Sequence, residues 1–175
     1  MTLAGTAGTN CRNAILKCTR FTINDKDVAR YINSSDLAQS LALSLTSVFS
    51  KLPKELPKDP SGKKAESWAI VHTDESSPFY AMLQLICFVN SLVSSTHPSI
   101  ARNVCMHVYK DFLIPFFVPL IHQEDSYALV AVIAYLDACI SRVQHPMLLK
   151  EFIQMILSTT YEDGVAHTPG VVTPI

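Results

Sequence analysis

Apolar residues recur along most of this chain at the three- and four-residue spacing of helices. The pattern predicts helices over 11–22, 25–33, 36–51, 78–95, 98–113, 126–143 and 146–158, with no convincing strand alternation anywhere. Their starts are well punctuated. Ser77 precedes Pro78, His97 precedes Pro98 and His145 precedes Pro146, each proline suiting the first turn of a helix. Asn24 with Asp25 and Asp27, Ser35 with Asp36, and Asp125 with Ser126 supply the remaining caps and set negative charge at the positive end of the helix dipole.

Two of these starts belong to a repeat. "STHPSIARNV" and "VQHPMLLKEF" lie 48 residues apart and align His97 with His145, Pro98 with Pro146, Ile100 with Leu148, and Arg102 with Lys150. The preceding helices match at the same offset through Leu85 and Ile133, Phe88 and Leu136, Leu92 and Ile140. Each copy is a helix, a tight His-Pro turn and a second helix, because proline fixes its own φ and disfavours helical geometry at the residue before it. A two-helix unit of this length lies close to the about 40–47 residues of armadillo and HEAT arrays. The expected fold is all-α, an α-solenoid of armadillo/HEAT-like helical pairs, with a closed helical bundle as the alternative.

Two stretches differ in kind. "KLPKELPKDPSGKK" packs three prolines, Gly62 and five lysines (Lys51, Lys54, Lys58, Lys63, Lys64) into one polar link, which reads as an exposed Lys/Pro-rich loop over 52–76. The tail "YEDGVAHTPGVVTPI" loses helical periodicity. The chain therefore divides into a flexible N-terminus (1–10), a helical repeat domain (11–158) and an irregular tail (159–175). "FLIPFFVPLI" holds Pro115 and Pro119 four apart, which predicts that the helix begun at Pro98 breaks there and returns along a buried path.

Composition narrows the function. A chain of 175 residues suits one domain with a sizeable core, but 49% apolar residues, 17% charged residues and a mean hydropathy of +0.23 are greasy for a free-standing unit. Some apolar surface is expected to need a neighbour, above all around Val130, Ile133, Ile153 and Ile156. Fourteen basic and fifteen acidic side chains leave a net charge of -1, so no global field draws nucleic acid or an anionic membrane. The N-terminus lacks the basic and continuous apolar regions of a signal peptide, which points to an intracellular chain. The greasiest helices, "FYAMLQLICFVNSLV" and "YALVAVIAYLDACI", fall short of the about 18–20 apolar residues of a membrane span.

Candidate chemistry is sparse. Cys11, Cys18, Cys87, Cys105 and Cys139 are odd in number, scattered and without a Cys-x-x-Cys pair, so they read as small reduced hydrophobes on apolar helix faces, where a thiolate is disfavoured. His97 and His145 suit turn and capping roles, and His72, His107, His122 and His167 form no metal-binding pair. There is no Gly-x-Ser-x-Gly elbow, Walker loop or Gly-x-Gly-x-x-Gly, and no glycine at all from residue 63 to 163. Catalytic, cofactor and metal residues are accordingly expected to be none. A cysteine hydrolase is the rival reading from another class, and a generic armadillo-like adaptor the rival within binding modules.

"NAILKCTRFTINDKDVARYI", "FSKLP", "AMLQLICFVNSLVSSTHPSIARNVCMHVYKDFLIPFFVPLIH" and "AVIAYLDACISRVQHPMLLKEFIQMIL" resemble the FTS- and Hook-interacting proteins, also called the retinoic-acid-induced-16-like family. The strongest elements are Val28 to Ile32, the corner at Phe112, Leu113, Pro115 and Pro119, and Ala134 to Asp137 followed by His145-Pro146 and Leu148-Leu149. The resemblance implies an α-solenoid scaffold in a complex with a Hook coiled-coil adaptor and FTS. Such complexes link early endosomes, through a Rab GTPase, to dynein and dynactin for microtubule-based transport. It further implies a cytoplasmic protein, peripheral on early endosomes, whose membrane contact is indirect, and a chain that is a fragment of a longer solenoid. Which residues bind the partners is left unknown.

Overall fold

The computed structural model describes residues 6–54, 77–122, 124 and 126–161. Every regular element among these residues is a helix, without a strand among them. The order is α1 (Thr6–Arg20), a 3-10 turn (Phe21–Ile23), α2 (Lys26–Asn33), α3 (Leu37–Phe49), α4 (Pro78–Ser94), α5 (Pro98–His107), a π-helical segment (Val108–Leu113), α6 (Ile114–Ile121), α7 (Ser126–Ile140) and α8 (Pro146–Tyr161).

The starts follow the local chemistry closely. Ser77 caps α4 by accepting Tyr80 N–H at 3.1 Å, with Pro78 in the first turn. Asp25 caps α2 through bonds from Asp27 and Val28 N–H, both at 3.0 Å. His97 caps α5, its Nδ1 accepting Ser99 N–H at 3.2 Å. Asp36 differs from expectation: it occupies the N-cap of α3 but its side chain makes no capping bond. The expected Asp125 cap and most of the 52–76 loop lie outside the described residues, as does the tail after Tyr161.

Helix α1 begins at Thr6, five residues ahead of the sequence expectation. "TAGTN" has no large apolar residue to show periodicity, yet Gly8 is buried and lines a small cavity with Leu41, Leu85 and Phe88. The second departure is larger. The helix begun at Pro98 does not break at Pro115 and Pro119 but runs on to Ile121 through the π segment. An interior proline costs about 3 kcal/mol. Fully buried Phe112, Leu113 and Phe117 on the same run contribute about 1.5–3 kcal/mol each, together comparable to the cost of the two prolines. Pro115 also lacks the N–H that would bond the carbonyl of Asp111, and the Thr46 hydroxyl from α3 donates to that carbonyl instead, at 3.4 Å.

The helices pack in two files. In one, α1 lies on α4 and α4 on α7; in the other, α2 and α3 lie on α5 and the π segment, and these with α6 lie on α8. One core runs between the files from Ala29 to Met155. The 24-residue run Pro98–Ile121 is long and apolar enough to cross a membrane by length and composition, and its Val104, Val108, Phe112, Leu113 and Phe117 form the middle of that core.

Candidate interaction surfaces

The two His-Pro turns are each tied to the preceding part of the fold by one polar side chain. Thr22, in the 3-10 turn after α1, accepts His97 N–H at 3.0 Å, and Asn90 of α4 accepts Gln144 N–H and His145 N–H, both at 2.9 Å. Both histidines therefore serve the turns, as their position before proline suggests. They are not equivalent. His97 Nδ1 meets Ser99, whereas His145 has Met147 at the matching place and its Nδ1 is buried without a partner among the described residues.

A second convergence joins three segments distant in sequence. Phe49 at the end of α3 packs edge-on against Phe112, Phe116 and Tyr135 and lies 4.7 Å, centroid to centroid, from Phe117. The Tyr135 hydroxyl donates to the carbonyl of Pro53 at 2.8 Å. Offset and edge-to-face rings add about 0.5–1.5 kcal/mol per pair beyond area burial. The chain segment after α3 is thereby fixed to α7, and α6 between them. At the π segment, His107 Nδ1 lies 2.6 Å from the Asp111 carboxylate, whose backbone carbonyl takes the Thr46 bond.

The cysteines divide. Cys105 and Cys139 are buried and desolvation pushes both thiols up to about 12, Cys105 further aided by the charge of Glu151. A thiol so protonated is a poor nucleophile. Cys87 is half-buried, but Cys11 and Cys18 are exposed on α1, contrary to the expectation that every cysteine sits on an apolar face. On α1 the face toward the core is carried by Gly8 and Thr19 with half-buried Arg12, Ile15 and Leu16, which leaves Cys11 and Cys18 outside it. Among the described residues no group of three metal-ligating side chains converges.

Besides Leu43 on α3 and Met106 on α5, the exposed large apolar residues among those described gather in two places. On α7 and α8, Val130, Ile133, Ile153 and Leu157 are exposed, while Ile156 packs against the core. The matched pair Leu85 and Ile133 thus diverges, 7% against 53% exposed, although Phe88 and Leu136 are both buried. Helix α4 lies between α1 and α7 and against α3 and α5, which covers Leu85; α7 ends its file and has one covered face. The other place is the corner between α1 and α2, where Phe21, Ile23, Val28 and Tyr31 are exposed. No periodicity argument marks this corner, because its large residues sit in and beside a short turn.

A sequence profile of the retinoic acid induced 16-like protein family matches residues 1–171. An FHIP family protein of Caenorhabditis briggsae is 28% identical over 163 residues, which cover 92% of this chain and 18% of the relative. The FHF complex subunit HOOK-interacting protein 1A of Mus musculus is 27% identical over 163 residues, covering 91% of this chain and 15% of its own length. For the human HOOK-interacting protein 1B the figures are 27% over 158 residues, 87% and 16%. The chain spans less than a fifth of these relatives. With a profile match over nearly its whole length, the chain belongs to the retinoic acid induced 16-like family.

Proposed function

We propose that this chain is part of an α-solenoid scaffold, a subunit of an FHF-type complex that holds protein partners in fixed relation and catalyses no reaction. The observation that carries this reading is the pair of helix files, α1–α4–α7 beside α2/α3–α5/α6–α8, whose last members keep apolar residues outward. Stacked helical pairs bury their faces only against the next pair, so such a face supports an array over a closed bundle. Family membership supports the rest, since relatives carry the name HOOK-interacting. The partners are then a Hook coiled-coil adaptor and FTS, with a Rab GTPase joining early endosomes to dynein and dynactin. The protein works in the cytoplasm, peripheral on early endosomes, and reaches the membrane through those partners.

The test is co-purification of the full-length protein from cells, with its distribution followed beside an early-endosome marker. Recovery of Hook and FTS, and loss of endosome movement on depletion, are expected. Recovery of unrelated cargo without either protein would replace this reading with the generic adaptor.

A further inference from the structure

We propose that the corner between α1 and α2 is a lipid-docking tip, with Phe21 and Ile23 entering the surface of an anionic bilayer and Lys17, Arg20 and Lys26 meeting its headgroups. This goes beyond the scaffold reading, in which membrane contact is indirect. The tip is rigid by construction. Its middle residue, Thr22, is fully buried, donates to the carbonyl of Thr19 and accepts His97 N–H at 3.0 Å. Pinning Thr22 inward turns its neighbours outward: Phe21 is 72% and Ile23 53% exposed, and Tyr31 on α2 is 77% exposed. On the exit side, Asp25 caps α2 and holds the turn closed.

Charge favours lipid as the occupant. The chain as a whole carries -1, yet α1 has no acidic residue and ends in Lys17 and Arg20. The two acids of the corner are engaged within α2, Asp25 by the N–H groups of Asp27 and Val28 and Asp27 by Arg30 at 2.9 Å. An exposed apolar tip with Lys17 and Arg20 in the turn before it and Lys26 just after it is the combination that interfacial binding requires, apolar area entering the headgroup boundary and cations attracted to anionic lipid.

The test is co-sedimentation of the full chain with vesicles of phosphatidylcholine containing about one third phosphatidylserine, beside pure phosphatidylcholine. Binding to the anionic vesicles that weakens with salt is expected. It should fall about tenfold or more in Phe21→Ser/Ile23→Ser and in Lys17→Glu/Arg20→Glu, with thermal melts unchanged, and stay constant in Ile133→Ser. Absence of binding to anionic vesicles overturns the proposal. So does binding that survives both double substitutions, or that falls equally in Ile133→Ser, which would mark unspecific adhesion. If the double variants keep vesicle binding but lose a co-purifying protein, the corner is a protein-docking site and the lipid assignment is wrong.

Discussion

The side-chain oxygen of Asn90, in the middle of one file of helices, accepts the backbone N–H groups of both Gln144 and His145, 54 and 55 residues downstream. One amide thereby satisfies two donors at the turn that opens α8. A carboxylate in its place can accept both bonds as well, and a methyl group can accept neither. Asn90→Ala should cost about 1–3 kcal/mol, and Asn90→Asp clearly less. Equal melting temperatures for the two variants would show that water replaces the amide at this turn.

The aromatic cluster gives a ranking. Phe49 touches four rings from the π segment, α6 and α7, so Phe49→Ala should cost about 3–5 kcal/mol in chemical denaturation. Tyr135→Phe keeps the ring and removes only the donor to Pro53, a loss of about 0.5–1.5 kcal/mol because that carbonyl lies at an exposed residue and water can reach it. The reverse order would place the strength of the α3 to α7 link in the hydrogen bond and not in the rings.

Much of this architecture is legible in the chain. Proline marks the first residues of α4, α5 and α8, with a capping side chain before it at α4 and α5, and Asp25 marks α2, because these signals act within one helical turn. The continuation through Pro115 is not legible: it depends on core burial of Phe112 and Phe117 and on the hydroxyl of Thr46, 65 residues away, reaching the carbonyl of Asp111. The same holds for the surfaces. A 48-residue offset matches Leu85 to Ile133 by residue type, but which of them is covered depends on position within the file, inner for α4 and outer for α7.

Thiol titration separates the cysteines and fixes the alkaline limit of the fold. Burial raises Cys105 and Cys139 from 9.0 to about 12, and the Tyr135 phenol from 10.0 to about 12. The unfolded chain releases the thiol protons once the pH passes about 9, while the folded chain holds them. Their contribution to stability is therefore complete below that pH and is lost as the pH rises through about 12. Melting temperature should fall steadily across this window, and Cys139→Ala, weaker at neutral pH, should fall less steeply. In native protein a thiol reagent should modify Cys11 and Cys18 quickly and leave Cys105 and Cys139 until unfolding. A fast-reacting thiol at Cys105 or Cys139 would require an open path to that side chain and would revive the hydrolase reading.

The outward face of α7 and α8 should govern association of the isolated chain. Val130 and Ile133 lie three apart on α7, and Ile153 and Leu157 four apart on α8, so each pair shares one side of its helix. They stand beyond the last members of the two files, where the next helical pair of an array would pack. Exposed apolar patches larger than a few hundred Å2 are uncommon on free monomers and promote association. Light scattering at rising concentration should show self-association of the 175 residues, accompanied by binding of an apolar dye. Ile133→Lys/Ile153→Lys should suppress both while shifting unfolding by no more than about 0.5 kcal/mol per site, because neither side chain is in the core. The contrast with Phe21→Ser/Ile23→Ser is informative, since that corner is equally apolar but flanked by cations that repel a second copy; those substitutions should leave association unchanged. A chain that stays monomeric and dye-silent would mean that this face is already satisfied, and would favour the closed bundle over the array.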